Sequence, residues 1–229
     1  MPTQNRLLDS LPRADRQRLL GACEPAALEK GQLLAQRGRP LRQAYFPLAG
    51  AISLTIHADG HQALEVGMVG CEGMLGSHWL LGPGVAPAQA EVLIAGRAWR
   101  IGRPAFSRQL ALSTALRRNL GRYLGVRLEQ LALAVACRRF HPIGPRLARW
   151  LLMSQDRAAA DHFQVTHESL AQMLGVRRVG VTVAAGDLQR RGLIRYHRGE
   201  LAVLDRPGLE VAACSCYAAD GQAYTRRMA

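Results

Sequence analysis

The chain has 229 residues, with 30 arginines and lysines against 17 aspartates and glutamates, a formal net charge of +13 and a pI of about 10.8. That length supports two modest domains with separate cores, and the charge favours a polyanionic partner, although Lys30 alone among the basic residues is lysine, so genomic arginine bias contributes. No apolar run approaches the ~20 residues that span a bilayer, and Met1 to Arg6 lack a signal-peptide core, so a cytoplasmic protein without a membrane partner is expected.

The chain from about Leu33 to Ile101 reads as strands. Ile52-Ser53-Leu54-Thr55-Ile56 alternates apolar and polar residues, as a half-buried strand does, and His57-Ala58-Asp59-Gly60 suits a hairpin turn. Ala63 to Val69 and Ala90 to Ile94 follow as strands, with Gly82-Pro83-Gly84 and Pro87 marking the loop between them. Antiparallel strands broken by glycine turns predict a small barrel or roll. A long helix comes next, from about Ser113 to Arg138. Its Leu116, Leu120, Tyr123, Leu124, Leu128, Leu131 and Val135 form one apolar seam, which either lies on the chain's own roll or meets a second copy. Gly121 and Gly125 weaken that helix by roughly 1 kcal/mol each, unless they admit a close neighbour.

His141-Pro142-Ile143-Gly144-Pro145 breaks the pattern and places a hinge beside a domain boundary near Arg139. Arg146 to Met153 reads as a helix with Leu147, Trp150 and Leu151 on one face. Val165 to Tyr196 is the most specific stretch. Thr166 N-caps a short helix with Leu170, Ala171 and Leu174 on its apolar face, and Gly175 allows the positive φ of a sharp turn. A second helix follows, its buried face read as Val176, Val179, Val183 and Leu188, with Arg177, Arg178 and Thr182 outside. Gly192 to Tyr196 and Leu201 to Leu204 then flank the turn His197-Arg198-Gly199-Glu200, a β-hairpin beside the second helix. Two helices around a tight turn plus a hairpin wing is the pattern of a DNA reader, with arginines where such helices meet bases and phosphates. In the tail, Leu209, Val211, Ala212 and Tyr217 suit one more helix on the winged domain, while Asp220 to Ala229 offer little to anchor them.

The five cysteines, Cys23, Cys71, Cys137, Cys214 and Cys216, read as free thiols. Cys214-Ser215-Cys216 is the one close pair, and a zinc site would need about four ligands, with no partner pair evident in the sequence. No metal site and no cofactor is therefore expected; a thiol switch at Cys137 or at this pair is the remaining cysteine reading. No compact His/Glu set or activated nucleophile is apparent, which argues against an enzyme. A ligand-binding module that uses the winged helix for protein contact is the other class weighed, and the exposed arginines argue against it.

Thr-x-x-x-Leu-Ala-x-Met-Leu-Gly-Val-Arg-Arg from Thr166 and Arg-Arg-Gly-Leu-Ile-Arg-Tyr from Arg190 resemble the winged helix of the CRP/FNR superfamily of bacterial transcription regulators. Leu7 to Pro12, Gly31 to Leu34 and Tyr45 to Gly50 are similar, in order, to that family's N-terminal helix and opening β-roll strands. The resemblance implies an α+β fold: a cyclic-nucleotide-binding-like β-roll over residues 1–112, a dimerisation helix over 113–138 and a winged helix-turn-helix over 139–229. It implies a homodimer paired through the seam from Leu116 to Val135 and reading a palindromic site, with double-stranded DNA and RNA polymerase as partners. Arg178 matches a guanine-reading position, while a glutamate and a later arginine of that pattern are replaced by Val179 and Val183. Arg177 and Thr182 fall to bases or phosphates, and Thr166, His167 and Arg198 to the DNA backbone. In nucleotide-responsive relatives a Gly-Glu-Leu-Gly glutamate holds the ribose, and an arginine holds the phosphate. Here that element is Gly73-Met74-Leu75-Gly76, and Ala86 to Glu91 contain no arginine. Glu72 restores a carboxylate only by shifting the alignment, so cyclic AMP is not expected to bind in the family manner. A different small effector remains open; His57, His61 and His78 are too scattered to single out a heme ligand. The clustered N-terminal cysteines of iron–sulfur members are absent.

Overall fold

A computed structural model describes residues 4–57, 59, 63–82, 84–158 and 160–229. Two short helices open the chain, α1 (Arg6–Asp9) and α2 (Arg13–Leu20). Asn5 caps α1 by accepting from Leu8 N and is itself pinned, donating to the Pro47 and Gly73 carbonyls at 2.8 and 2.9 Å. Five strands follow: β1 (Glu24–Leu28), β2 (Leu33–Ala35), β3 (Gln43–Ile56), β4 (Leu64–Val69) and β5 (Gln89–Gly102). They form one antiparallel sheet in the order β1-β5-β3-β4, with β2 also on β5. β3 and β5 pair from Gln43↔Gly102 to Thr55↔Gln89, and register shifts near Pro47, Ala49 and Ala51 bend this ribbon into the expected roll. The turn expected at His57 to Gly60, with His61 and Pro83, lies wholly or partly outside the described residues.

A 3-10 turn over Ser77–Leu81 and α3 (Arg103–Leu112) complete this half, and Ser113 caps α4 (Thr114–Phe140) by accepting from Leu116 N at 3.0 Å. The single seam expected on α4 divides. Leu116, Leu120 and Tyr123 are fully buried in the chain's own roll core, beside Leu7, Phe46 and Phe106. Leu128 and Val135, further along, are 68% and 70% exposed, and Leu131 is exposed as well.

Only His141 and Pro142 interrupt the helices; α5 (Ile143–Ala158) already contains Gly144 and Pro145, because proline is tolerated in a first turn, where its missing N–H has no helical acceptor. Leu147, Trp150 and Leu151 of α5 are buried in a second core. Around them lie β6 (His162–Gln164), α6 (His167–Leu174), α7 (Arg178–Arg190), β7 (Ile194–His197), β8 (Glu200–Val203) and α8 (Arg206–Ala212), with a small sheet ordered β6-β8-β7.

The last helix, α9 (Cys216–Met228), corrects the reading of the tail. It packs along α4 and is anchored at three levels. Asp220 pairs with buried Arg157 at 3.2 Å, the Tyr224 hydroxyl donates to Glu72 O at 2.7 Å, and Arg226 reaches Glu129 at 2.9 Å. Gly125 lies beside it: a Cβ there would stand 2.8 Å from the Arg227 guanidinium. The close neighbour that this glycine admits is the chain's own last helix.

Candidate nucleic-acid interface

The reading motif is built locally. Thr166 Oγ1 accepts from Ser169 N at 3.0 Å, which starts α6, and Gly175 ends it with φ +63 in the left-handed region, returning its N–H to the last turn. The chain then extends through Arg177 before α7 begins at Arg178. The buried side of α7 is Val181, Ala184, Ala185 and Leu188. This corrects the face read from the sequence. Val179 and Val183 are 73% and 66% exposed and share the outer face with Arg178 and Thr182. Their valine-rich spacing misled because the inner phase belongs to Val181 and Leu188 together with the small Ala184 and Ala185, all buried in the second core.

Arg177 and Arg178 therefore project, both exposed, from the N-terminal end of α7. Among the described residues neither forms an ion pair, in contrast to Arg190 and Arg191 at the other end, which both pair with Asp187. Backbone N–H groups and helix dipole add to the positive potential at this end. Beside it, β7 and β8 form the wing, with a two-residue turn whose Arg198 (φ +49) and Gly199 (φ +84) lie in the left-handed region as a type I′ hairpin requires. Arg198 stands exposed at the wing tip.

His167 braces these parts. Its ring stacks on Tyr196 of the wing with centroids 4.5 Å apart, and Tyr196 OH donates to Val165 O at 2.8 Å. Thr182 donates to Arg178 O at 3.1 Å, leaving its oxygen to accept from His167 Nδ1 at 3.0 Å. Burial, then the Arg178 charge, hold His167 below its ordinary pKa of 6.5, so the ring is neutral near pH 7. The sequence pointed to Thr166, His167 and Thr182 as contact residues. Thr166 is a cap, and His167 and Thr182 tie helix to wing, while Thr166 and Thr182 remain exposed.

In the roll, a cavity of about 310 Å³ is walled by Leu54, Val69, Met74, Leu75 and Leu124, with Ser77, His78 and Arg127 among its few polar neighbours. Met74 is buried there. Glu72 is committed elsewhere: it accepts from Gly70 N at 3.0 Å and faces Arg157 Nε at 3.2 Å. Burial alone would lower the Arg157 pKa; Glu72 and Asp220 more than offset it and hold the guanidinium charged. Arg127 is likewise occupied, donating to Met68 O at 2.7 Å and Gln130 at 3.1 Å. His57 is exposed, its carbonyl accepts from Arg37, and it lines a separate cleft with Glu65 and Gln89, whereas His78 borders the cavity.

The cysteine pair that the sequence left without partners has them in the fold. Cys137, His141, Cys214 and Cys216 place their ligating atoms within 4.8 Å of one another. Cys137 and His141 are four residues apart at the end of α4, and that helical spacing was the signal to find; the sequence reading considered Cys137 alone.

An antiparallel roll, a long helix and a winged helix with a bare cationic reading end together define a DNA-binding transcription regulator. Two family models match, a cyclic nucleotide-binding domain over residues 25–113 and a Crp-like helix-turn-helix domain over residues 145–212. The chain belongs to the CRP/FNR superfamily. It is 26% identical over 190 residues to the CRP-like cAMP-activated global transcriptional regulator of Mycobacterium tuberculosis, covering 80% of this chain and 84% of that one. Two solved structures share the fold: FixK2 from Bradyrhizobium japonicum (TM-score 0.70, 15% identity, 84% of this chain and 98% of that one) and a crp/fnr-family structure from Eubacterium rectale (TM-score 0.68, 16% identity, 92% and 99%). No helix among the described residues is long and apolar enough to cross a membrane.

Proposed function

We propose that this regulator acts as a homodimer that reads a palindromic DNA site through Arg177, Arg178 and the outer face of α7, with Arg198 of each wing on the backbone. The observation that carries this is the exposed guanidinium pair at the α7 N-terminus, which forms no ion pair among the described residues, whereas Arg157, Arg190 and Arg206 are matched by carboxylates. Arg178 reads guanine O6 and N7, and exposed Val179 and Val183 offer apolar contact to thymine methyls, in place of the charged residues of the family pattern. The second copy meets the exposed stretch of α4 at Leu128, Leu131 and Val135, with half-buried Leu124 at its edge. Two reading helices on one two-fold axis then face half-sites about one DNA turn, roughly 34 Å, apart.

The Mycobacterium tuberculosis relative is described as cAMP-activated, but several features speak against cyclic AMP here. Met74 stands where a ribose-binding carboxylate is needed, Glu72 serves Arg157, and Arg127 is spent on a carbonyl and an amide. A buried phosphate would lack its cationic partner. A second reading of the roll, control by a small and largely apolar effector, is favoured by the roughly 310 Å³ cavity, of the size and lining that small-molecule sites have.

Selection of genome fragments by purified protein, with and without cyclic AMP, tests both halves. One palindromic motif recovered in both samples is the expected result. Recovery only with the nucleotide would overturn the reading of the roll, and recovery of no motif in either would overturn the DNA assignment.

A further inference from the structure

We infer that Cys137, His141, Cys214 and Cys216 form a tetrahedral Cys3His site for a thiophilic divalent cation, zinc in the first instance, that ties the end of the dimerisation helix to the winged-helix domain. The site is assembled from two corners of the fold. Cys137 lies on the last turn of α4 and His141 is its C-cap, so both point from one side of the helix end. Cys214 and Cys216 bracket Ser215, the residue that turns α8 into α9, and Cys214 N also donates to Pro145 O at 3.3 Å, holding that corner against the start of α5.

The distances suit one small ion. Cys137 Sγ and Cys214 Sγ are 3.5 Å apart, as are Cys216 Sγ and His141 Nδ1. A tetrahedron with Zn–S near 2.3 Å and Zn–N near 2.05 Å has S···S edges of about 3.8 Å and S···N edges of about 3.6 Å. Two of the six edges thus lie within a few tenths of an ångström of the ideal, and all four atoms lie within 4.8 Å of one another, so closing on one ion takes shifts of at most about 1 Å. An iron–sulfur cluster spreads its cysteines over separate irons and asks for wider spacing than this set shows. The three sulfurs are buried and form a small core of their own, so the site is closed to solvent on most sides, as structural zinc sites are.

The surrounding charge fits the product. Three thiolates and a neutral imidazole around a divalent ion leave one negative charge. Arg149 stands close enough to act on Cys137, and Arg146 feels both Cys137 and Cys214. Arg149 is nine-tenths buried and its Nε has no hydrogen-bond partner. Binding displaces thiol protons to solvent, three per ion if all three thiols start protonated, with no change in oxidation state.

A cross-link at His141-Pro142 fixes the one break between α4 and α5, and so the pose of α7 relative to the dimer axis. That consequence rests on the DNA-binding reading above, whereas the site itself does not.

The test is metal analysis of the full-length protein, purified without chelator and again after cobalt replacement. One zinc per chain is expected, with the charge-transfer and intense d–d bands of tetrahedral thiolate-bound cobalt. Cys214→Ser, Cys216→Ser and His141→Ala should each reduce zinc to well below one per chain after gel filtration, while Cys23→Ser and Cys71→Ser retain it. Circular dichroism and elution volume identify any variant that fails to fold. Should the ligand variants misfold, competition between wild-type protein and a colorimetric zinc chelator measures the same affinity without substitution. Less than a tenth of an ion per chain after zinc reconstitution, iron with acid-labile sulfide, or a Cys137–Cys214 disulfide in protein kept reduced would each overturn the assignment. If zinc-loaded wild type binds a selected DNA site and the metal-free protein binds it at least roughly tenfold more weakly, the hinge role stands; equal affinities would overturn that role and leave the site. Failure of zinc-loaded protein to bind any DNA would count against the DNA reading and not against the metal.

Discussion

Arg157 and Arg178 carry the same side chain to opposite ends. Arg157 is buried at the seam between roll, α5 and α9, matched by Glu72 and Asp220 at 3.2 Å each, with all three side chains at most 8% exposed. Arg178 stands at the open end of α7 with no carboxylate beside it among the described residues. A buried, matched arginine is architecture: its charge has been compensated within the chain, and losing either side leaves an unpaired ion in a low dielectric. An exposed, unmatched arginine pair at a helix N-terminus holds its compensation open for a partner, and a phosphate-lined groove supplies it. The difference explains why net charge alone points weakly at function, while the disposition of that charge points strongly.

This contrast is open to substitution. Arg157→Ala should be the most damaging, destabilising the fold by about 3–5 kcal/mol as Glu72 and Asp220 lose their partner, read as a lowered urea midpoint. If the midpoint barely moves, the seam is not held by this network. Glu65 offers a titration of the same seam. Burial pushes its pKa from 4.5 up to about 7, partly opposed by hydrogen bonds from Ser53 at 2.6 Å and Trp150 at 2.9 Å. The folded state therefore holds a proton that the unfolded chain has released between those values. Its contribution is complete below pH about 4.5 and is lost, by roughly 3 kcal/mol, as pH rises to about 7. Glu65→Gln, whose amide satisfies both neighbours, should flatten the slope relative to wild type; an unchanged slope would assign the titration to another group.

At the open end the effects move to binding. Arg178→Ala should cost about 1–3 kcal/mol at the selected site and relax preference at one position per half-site, with an unchanged urea midpoint. Arg198→Ala should be the mildest, weakening binding to most sequences alike and lowering the salt slope by about one per wing. Equal, sequence-independent losses for both would remove base reading from Arg178.

The winged helix was legible because its determinants are local: the Thr166 cap, the Gly175 turn and the Arg198-Gly199 hairpin each act within a few residues. The phase of α7 was misread at Val179 and Val183 because apolar side chains there serve the outer face. Along α4 the periodicity marks an apolar face without saying what covers it, and the roll claims Leu116, Leu120 and Tyr123 while leaving Leu128 and Val135 outside. The tail and the cysteine cluster escaped because their partners are remote in sequence: Arg157 and Asp220 are 63 residues apart, Cys137 and Cys214 are 77. Only the fold brings those groups together.

A hydroxyl-radical footprint of the purified protein on a selected fragment, beside an Arg177→Ala/Arg178→Ala variant, tests paired reading by the two arginines most directly. Two protected half-sites about one helical turn apart are expected, both lost in a variant that keeps the wild-type urea midpoint. A footprint retained by the variant, or protection of a single half-site, would contradict it.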